Sequence, residues 1–561
     1  MRFALILASF SVLAPAADVV LRNGKIVTLD PAAPNAQAIA ITNGKITAVG
    51  TNAQIVREIQ PSTKVIDLAG RLAIPGFIEG HGHFTAIGQM KMSLNLRDAR
   101  NWDAIVAMVA AAAREAKPGE WIVGRGWHQE KWDAKPTPNV NGFPVHDALS
   151  EVSPNNPVLL THASGHAIFA NAAAMKAAGI TRDTPNPDGG EITKDAAGNP
   201  IGLLNEKAQG LIRSAMDRDL ARRTLAAREA DQEKQIDLAA QECISKGITT
   251  FEDAGSPAAL IERLQRRASA GTLPLRMWVM LRESNALVAR DAPRLRMIGF
   301  GDNHLTVRAI KRQIDGALGT RGAWLLAPYS DLPSTSGLPT EPPADIAETA
   351  KLAIANNYQL CVHAIGDRGN REVLDIYERT FKANPDKHDL RWRIEHAQHL
   401  DPADIPRFGK LGVIAAMQAI HCTSDAPMVI PRLGAKRAEE GAYVWQSLMK
   451  SGAHVSNGTD APVEDVNPIA CYYAAVTRKL KDGSTFFPAQ KMSRMEALRS
   501  YTIENAYAAF EENVKGTLKP GMLGDITVLS KDILTIPDDE IPKTDVDYTI
   551  VGGKIAYKRG Q

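Results

Sequence analysis

Residues 73–84 read AIPGFIEGHGHF, an apolar stretch that runs directly into two histidines. Side chains alternate between the faces of an extended strand, so His81 and His83, one residue apart, point the same way. Gly82 between them removes steric bulk, and two neutral imidazoles side by side can share one metal ion. A pair of polar residues at a strand end is the simpler interpretation of an isolated His-x-His. The motif therefore predicts a metal site only if further ligands occur elsewhere in the chain.

The length and composition of the chain are those of a large globular protein. At 561 residues it exceeds one ordinary domain, although a barrel with insertions can absorb most of this length. The formal net charge is +2 and no concentrated run of Lys and Arg occurs, so nucleic acid is not an expected partner. Four scattered cysteines without a Cys-x-x-Cys pair provide no disulfide framework. We expect a small-molecule substrate, and a homodimer is left open.

The amino terminus has the layout of a cleaved secretory signal. Arg2 precedes the apolar run of residues 3–13, and small residues at 14–17 come before Asp18. The run is too short for a stable membrane anchor, and no other stretch is long and apolar enough for a membrane helix. A first buried strand is the alternative interpretation. We expect a signal peptide over residues 1–17 and an exported protein, periplasmic or secreted, without a membrane span.

Both ends of the remaining chain are rich in β-structure. Two Asn-Gly pairs, at residues 23–24 and 43–44, each separate two apolar runs, which is a strong signal for a two-residue hairpin. Residues 525–529 and 548–557 repeat the pattern near the carboxy terminus. We expect one small β-sandwich domain assembled from residues 18–74 and 514–561.

The long middle part, residues 75–513, alternates short apolar strands with helical stretches. This alternation is typical of βαβ units and a parallel sheet. Together with the strand that carries His81 and His83, seven further candidates make eight strands, which predicts an α/β fold, a (β/α)8 TIM barrel. The seven candidates are residues 121–124, 247–251, 307–314, 359–363, 391–394, 413–418 and 454–458. Between the second and third strands, we expect residues of about 130–245 to form an inserted cap over the barrel mouth.

The ends of the later strands supply candidate partners for the two histidines of the first strand. Lys311 lies within the apolar segment 307–316, and His363, His396 and Asp460 each come at or just after a strand end. In a barrel, the carboxyl ends of all strands face one mouth, where active sites lie. A lone histidine after a strand is usually structural, but these residues together predict one shared site.

Other polar residues are candidates for contact with substrate. His166 and Trp127 lie in the cap or in the second strand loop, and they could line the pocket or serve local structure only. Gln418 and His421 follow the seventh strand, where His421 could stabilise a developing oxyanion. Arg321 could pair with a substrate carboxylate, or equally with a carboxylate of the protein.

Five segments of the chain resemble the metal-dependent amidohydrolases, specifically the amidohydrolase-3 branch that includes N-substituted formamide deformylases. The likeness also covers the split β-sandwich, and hence nearly the whole mature chain. These motifs are specific for the family and much less so for the substrate. They are PGFIEGHGH at residues 75–83, Lys311 with DGALG at 315–319, VHAIGD at 362–367, RIEHAQ at 393–398 and GTDAPV at 458–463.

The resemblance implies a set of metal ligands. One divalent ion would be held by His81, His83 and Asp460. A second ion would be held by His363 and His396. Zinc is the expected metal for histidine and carboxylate ligands, with manganese and iron as alternatives.

The resemblance also implies a modified lysine. Lys311 would bridge the two ions after reacting with carbon dioxide to give a carbamate, because an ammonium group has no lone pair to donate. Burial among Val307, Ile310 and Ile314 would favour the neutral amine that must react. The alternative is a surface or salt-bridged lysine, since a site with a single metal needs no bridge.

The implied activity is hydrolysis of a non-peptide C–N bond in an amide, N-acyl or N-formyl compound. A bound metal lowers the pKa of water and polarises the carbonyl group. Asp460 is placed to accept the proton of that water and pass it to the leaving nitrogen. The closest alternative is the same site acting on an ester, lactone or phosphoester. A non-catalytic exported binding protein is less favoured, because it needs no complete set of metal ligands.

Overall fold

The computed structural model describes residues 17–97, 99–129, 132–162, 167–188, 190–319 and 321–560. Within these residues the chain forms two compact units. The first unit consists of residues up to Phe84 together with those from Ala240 onward, and the second unit is Thr85–Ala239. The first unit contains both a barrel and the two chain ends.

The barrel of the first unit has eight parallel strands in chain order. The ring closes where Gly82 pairs in parallel with Ala461, and a short strand, Met297–Gly299, pairs with the fourth strand from outside the ring. The (β/α)8 barrel predicted from the sequence is confirmed. Its strands are β1 (Phe77–Gly82), β2 (Ile248–Ser256), β3 (Arg276–Leu281), β4 (Leu305–Gln313), β5 (Gln359–Ala364), β6 (Arg393–His396), β7 (Ile414–Met417) and β8 (Val455–Asn457).

A helix follows each strand from β2 onward. In the helix after β5, the buried residues Val373, Leu374 and Tyr377 recur at the three- to four-residue spacing of one helix face. The hydroxyl of Tyr377 donates hydrogen bonds to the carbonyl oxygens of Leu360 and Arg393, 3.1 and 2.8 Å away, so this face packs on β5 and β6. The helices are α1 (Ala258–Ser269), α2 (Asn285–Leu295), α3 (Pro343–Asn356), α4 (Asp367–Ala383), α5 (Ile405–Leu411), α6 (Ala419–Leu433) and α7 (Pro468–Thr477). Further helices of this unit are Ala435–Gly441, Trp445–Lys450, Arg494–Ser500 and Ile503–Ala508.

The prediction that residues 121–124 form the second barrel strand is wrong. They lie at the start of Ile122–Trp127, a strand of the second unit. The strand that completes the barrel is β3, the run RMWVML, which pairs in parallel with β2 and β4. Both runs are short and apolar, and local sequence does not state which neighbours a strand will pair with.

The two chain ends form the predicted β-sandwich. Ile39 and Ile41 of one sheet and Ile526 and Val528 of the other are buried in the same apolar cluster. The four-stranded sheet has the order Lys45–Gly50, Ala38–Thr42, Val19–Arg22, Lys64–Asp67. The six-stranded sheet has the order Lys554–Lys558, Val546–Val551, Ile526–Leu529, Leu72–Pro75, Lys25–Val27, Asn35–Ala36.

Only one of the two Asn-Gly pairs near the amino terminus forms a hairpin. The strands on either side of Asn43 pair antiparallel with each other, as predicted. The strands on either side of Asn23 belong to different sheets, so the hairpin predicted there is wrong and the turn instead crosses between the sheets. Asn23 and Asn43 have φ angles of 57° and 50°, which shows that an Asn-Gly pair sets the local turn and not the partner strand.

A buried ion pair ties the sandwich to the barrel within the first unit. Arg276, the first residue of β3, donates from Nε and Nη2 to the two carboxylate oxygens of Asp525, at 2.7 and 3.0 Å. The backbone N–H of Gly552 donates to the same carboxylate at 2.8 Å. Although burial opposes ionisation, Arg276 holds the pKa of Asp525 below its usual value.

The second unit is built on a sheet of six strands with its own apolar core. The ring of Phe169 contacts those of Trp102 and Trp127 in this core. The predicted insertion of residues 130–245 overlaps this unit. The sheet has the order Gly190–Lys194, Pro200–Glu206, Ala167–Ala170, Val158–His162, Ile122–Trp127, Leu94–Asn95. The helices that lie wholly in this unit are Trp102–Glu115, Asp147–Val152, Ala172–Ala178 and Gln209–Arg222. Two more helices, Phe84–Lys91 and Leu225–Ser245, contain the residues at which the chain passes from one unit to the other. In neither unit does the described part of the chain contain a helix with the length and apolar character to cross a membrane.

Candidate metal centre at the barrel mouth

The carboxyl ends of the barrel strands bring together ligand-type side chains that are far apart in the sequence. The ring of His396 lies 4.7 Å from that of His81 and 4.4 Å from that of His363, measured between ring centroids. The Oδ1 atom of Asp460 lies 3.6 Å from Nε2 of His81 and 3.3 Å from Nε2 of His83. Five of the six candidate ligands predicted from the sequence therefore share one region of the mouth.

The backbone at two of these residues adopts the left-handed conformation. His396 has a φ angle of 77° and Asp460 one of 57°, values that residues other than glycine rarely adopt. The backbone N–H of Asp460 donates to the carbonyl of His81 at 2.8 Å, and that of His83 donates to the carbonyl of Ala461 at 2.7 Å. These bonds join the ends of β1 and β8 and hold the strained turn in place.

Hydrogen bonds at Nδ1 orient two of the histidines. Nδ1 of His81 donates to the carboxylate of Glu395, and Nδ1 of His396 donates to Oε1 of Gln418 at 2.6 Å. The amide nitrogen of Gln418 donates to the carbonyl of Ala416 at 3.0 Å, which fixes the orientation of the amide. With the proton on Nδ1, both rings present the lone pair of Nε2 to the cluster.

A buried charge network supports His81. Arg393 forms ion pairs with Glu252 and Glu395, and it donates to the carbonyl of Gly80 at 2.7 Å. All three charged side chains are fully buried. Burial raises the pKa of Glu252 to about 8, whereas Arg393 and His81 overcome burial and hold the pKa of Glu395 far below its usual value. Glu395 is therefore an ionised acceptor for the Nδ1–H of His81.

The cluster fits a divalent metal ion. Nε2 of His81, Nε2 of His363 and Oδ1 of Asp460 are buried, and no described residue forms a hydrogen bond with them. Unpartnered buried polar atoms are rare in folded proteins, and those of His81 and Asp460, 3.6 Å apart, mark a site that a cation could fill. Nε2 of His363 lies 3.7 Å from Oδ1 of Asp315, and its ring is packed on that of His396. Burial lowers the pKa of His81 to about 4 and that of His363 well below its usual value, so both rings are neutral and each has a lone pair that a metal could accept.

Lys311 lies within β4, opposite Cys361 of β5, and is almost fully buried. None of the described carboxylates forms an ion pair with it, so the salt-bridged alternative does not apply within this part of the chain. Burial lowers the pKa of its amine. An amine with a lowered pKa has a larger neutral fraction and is therefore a better nucleophile.

His421, on α6, differs from the other histidines in its hydrogen bond. Its Nδ1 lies 3.0 Å from the amide nitrogen of Gln398, which can only donate. Nδ1 must then accept, and the proton of a neutral His421 lies on Nε2, 4.0 Å from Oδ2 of Asp460. The distances alone would allow His421, His396 and Asp460 to share a metal ion. The tautomer instead makes His421 a hydrogen-bond donor at the mouth.

Three of the other residues predicted to contact substrate form hydrogen bonds or ion pairs with groups of the protein. The indole N–H of Trp127 donates to the carbonyl of Leu160 at 2.9 Å within the core of the second unit. Arg321 pairs with Asp331 at 2.9 Å. Its partner is therefore a carboxylate of the protein, the second of the two partners considered from the sequence. Both ends of the Gln418 amide are engaged by protein groups, and His166 lies outside the described residues.

Sequence reasoning missed the residues that hold the histidines in place. Arg393, Glu395 and Gln398 lie in the quoted motif RIEHAQ without an assigned role. The sequence did contain a signal for Arg393 and Glu395. They occupy alternate positions of a short strand, so their side chains lie on the same face. Charged residues at such positions in a buried strand indicate an internal ion pair.

The barrel and its cluster together define an α/β-barrel protein with a candidate metal centre at the barrel mouth. Residues 64–557 match the sequence model of the Amidohydrolase family. Protein LONG AFTER FAR-RED 3 of Arabidopsis thaliana is 32% identical over 566 residues, covering 96% of this chain and 92% of that protein. The N-substituted formamide deformylase of Arthrobacter pascens is 26% identical over 551 residues, covering 97% and 98%.

A solved structure shares the fold. The crystal structure of an uncharacterized metal-dependent hydrolase from Pyrococcus horikoshii superposes with a TM-score of 0.75 at 24% identity, over 93% of this chain and 99% of that one. The chain belongs to the amidohydrolase family, which confirms the resemblance noted in its motifs.

Proposed function

We propose that this protein hydrolyses a non-peptide C–N bond in an N-acyl or N-formyl compound. The observation that carries the proposal is the convergence of neutral histidines and an ionised aspartate on buried, unpartnered ligand atoms at the barrel mouth. The similarity to an N-substituted formamide deformylase supports the choice of bond.

Each residue of the site has a distinct task in this proposal. A divalent ion, zinc by the chemistry of its ligands, would activate water and polarise the substrate carbonyl. Asp460 takes the proton of the attacking water and delivers it to the leaving nitrogen. The neighbouring rings of His83, His396 and His81 outweigh burial and hold the pKa of this carboxylate well below its usual value. The Nε2–H of His421 donates to the oxygen on which negative charge develops.

The bridging role of Lys311 is part of the same proposal. Its neutral amine would attack the carbon of carbon dioxide, form an N–C bond and release one proton, leaving a carbamate with two ligand oxygens. A carbamate would hold two ions near each other, whereas an unmodified Lys311 would leave a site for one. Mass spectrometry and carbon-13 spectroscopy of protein prepared in labelled bicarbonate distinguish these two states.

Metal analysis combined with a substrate panel tests the function. We expect about two equivalents of metal in the intact protein if the carbamate forms and about one otherwise, with activity lost on chelation and restored by zinc. His81→Ala should lose both metal and activity. His454→Gln is the matched control, because His454 is half-exposed and pairs with Glu504 at the start of β8.

The panel compares N-formyl and N-acyl amines with esters, lactones and phosphoesters. Cleavage of the C–N compounds and indifference to the others is the expected result. Preference for lactones or phosphoesters would replace the proposed reaction with the alternative one. Full activity in protein free of divalent ions would overturn the proposal.

We also propose that the protein is exported, on the basis of the basic, apolar and small-residue zones of residues 1–17. Residues 1–16 lie outside the described part of the chain. Sequencing of the mature amino terminus after cell fractionation tests this. A start at Asp18 in the exported fraction is the expected result, and a full-length cytosolic protein would contradict it.

A further inference from the structure

Arg282 stands at the same mouth as the candidate ligands. It is the first residue after β3, and its backbone N–H donates to the carbonyl of Ser256, the last residue of β2, at 2.9 Å. Its side chain is exposed, and Nη2 donates to Oε1 of Gln313, the last residue of β4, at 3.0 Å. The ends of β2, β3 and β4 thus fix the guanidinium at the carboxyl end of the barrel.

The side chain of Arg282 runs beside that of Lys311. Both pass over Gly255, where an added Cβ would lie 2.9 Å from Cδ of Arg282 and 3.3 Å from Cγ of Lys311. The φ angle of 132° at Gly255 is one that other residues rarely adopt. A glycine therefore lets the guanidinium approach the candidate metal centre.

Among the residues that the structure describes, Arg282 differs from neighbouring arginines in having no carboxylate partner. Arg312 pairs with a glutamate at 2.8 Å, Arg321 with an aspartate at 2.9 Å and Arg368 with a glutamate at 2.7 Å. For Arg282, the acceptor found in the described chain is the neutral amide of Gln313. A guanidinium has five N–H donors, so one bond to Gln313 holds it in place and leaves the others for a ligand.

We propose that Arg282 binds a carboxylate of the substrate, and that the substrates are N-acyl or N-formyl compounds with an anionic group a few bonds from the scissile C–N bond. This inference rests on the proposed hydrolytic function. Gln313 acts as a positioning residue, since it orients the guanidinium without neutralising it. From the sequence, Arg321 was a candidate for binding a substrate carboxylate. This role instead belongs to Arg282, which lies at the carboxyl end of a barrel strand.

Two formamides of equal length test the assignment. N-formylglycine carries a carboxylate, and N-formylethanolamine carries a hydroxyl group in its place. Arg282→Gln should lower kcat/KM for N-formylglycine roughly tenfold to a hundredfold, as expected for loss of a charged hydrogen bond, and change that for N-formylethanolamine less than about threefold. Arg282→Lys should give an intermediate loss, because it keeps the charge but not the planar fork.

Two further variants separate charge from position. Gln313→Glu supplies an internal carboxylate that pairs with Arg282, and it should reduce the preference for N-formylglycine although Arg282 is still present. Arg296→Gln removes one positive charge before β4, where Nε of Arg296 donates to the carbonyl of Asn357 at 3.0 Å. This control should leave both substrates unaffected.

A binding measurement makes the outcome independent of turnover. Calorimetry on metal-loaded protein compares ethoxyacetate, a carboxylate without a scissile C–N bond, with neutral 2-ethoxyethanol. Binding of ethoxyacetate that depends on Arg282 supports the anion site, whether or not the formamides are cleaved. If neither formamide is cleaved, the proposed function is overturned but the anion site is not. Cleavage of both formamides with equal sensitivity to Arg282→Gln, and no change in ethoxyacetate binding, would overturn the anion site while the proposed function stands.

Discussion

At the scale of single residues, the orientation of each histidine depends on the atom bonded to its Nδ1. A carboxylate accepts from His81 and an amide oxygen accepts from His396, whereas an amide nitrogen donates to His421. The first two rings are left with a lone pair on Nε2 and the third with a proton. The hydrogen bond at Nδ1 thus determines whether Nε2 of a histidine can bind a metal or can donate a hydrogen bond.

Glu395 should determine how tightly the metal binds. Glu395→Gln removes the charged acceptor of His81 and one of the two carboxylates paired with Arg393. We expect metal affinity to fall roughly tenfold to a hundredfold, as measured by competition with a chelator. Glu341→Gln is the control, since Glu341 pairs with Arg312 instead. An unchanged affinity would show that Glu395 does not support His81.

Gln398 should determine the tautomer of His421. Gln398→Glu replaces the donor with an acceptor, moves the proton of His421 to Nδ1 and removes the Nε2–H donor. We expect kcat to fall roughly a hundredfold with unchanged metal content. Gln398→Met removes the partner without imposing a tautomer, so its loss should be smaller. A fall in metal content in both variants would instead identify His421 as a ligand.

At the scale of elements, β1 is constrained by its close neighbours. An added Cβ at Gly80 would lie 2.5 Å from the backbone oxygen of Asn457 in β8 and 2.6 Å from Oδ1 of Asn505. The amide nitrogen of Asn505 donates to the carbonyls of Ile78 and Asn457 at 2.6 and 2.8 Å, which joins β1 to β8. The closure of the barrel therefore requires a residue without a side chain at position 80.

Gly80→Ala should destabilise the protein by about 1–3 kcal/mol, because backbone atoms must move to admit the methyl group. It should also weaken metal binding, since His81 follows directly. Gly210→Ala is the control: an added Cβ in the helix Gln209–Arg222 meets nothing within 4 Å, and it should be neutral or stabilise by up to about 1 kcal/mol. Urea unfolding measures both variants, and equal effects would contradict the steric account.

At the scale of the whole molecule, the sandwich made of both chain ends depends on the ion pair of Arg276 and Asp525. Arg276→Met leaves the buried carboxylate of Asp525 without its ion-pair partner. We expect the free energy of unfolding to fall by about 3–5 kcal/mol, measured by urea denaturation at neutral pH. A cost below about 1 kcal/mol would show that the pair contributes no more than an exposed one.

The same pair gives a pH dependence with a definite sign. Because the pKa of Asp525 is lower in the folded protein than its usual value of about 4, the contribution of the pair is present above that value and is lost as the pH falls through the folded pKa. Without Arg276, burial raises the pKa of Asp525, so the variant relieves its penalty by binding a proton as the pH falls. The difference in unfolding free energy between wild type and Arg276→Met should therefore be largest at pH 8 and shrink steadily on acidification, with the contribution of the pair in wild type itself lost below about pH 4. A difference that grew on acidification would contradict this assignment.

The sequence by itself determined the barrel, the sandwich and the candidate ligands. Alternation of strands and helices is a local pattern, and parallel strands direct their carboxyl ends to one mouth, so His81, His363, His396 and Asp460 could be grouped before any coordinates were known. The resemblance to the family added Lys311 as an expected ligand that would bridge two metal ions.

Only the tertiary structure decided which of two apolar runs, residues 121–124 or 276–281, completes the ring, and which Asn-Gly turn joins paired strands. It also decided the partners of the histidines, and it showed that within the described chain Arg321 pairs with a carboxylate whereas Arg282 is bonded to a neutral amide. Strand pairing, tautomers and ion pairs depend on contacts between residues distant in the chain. Local sequence periodicity carries no information about those contacts.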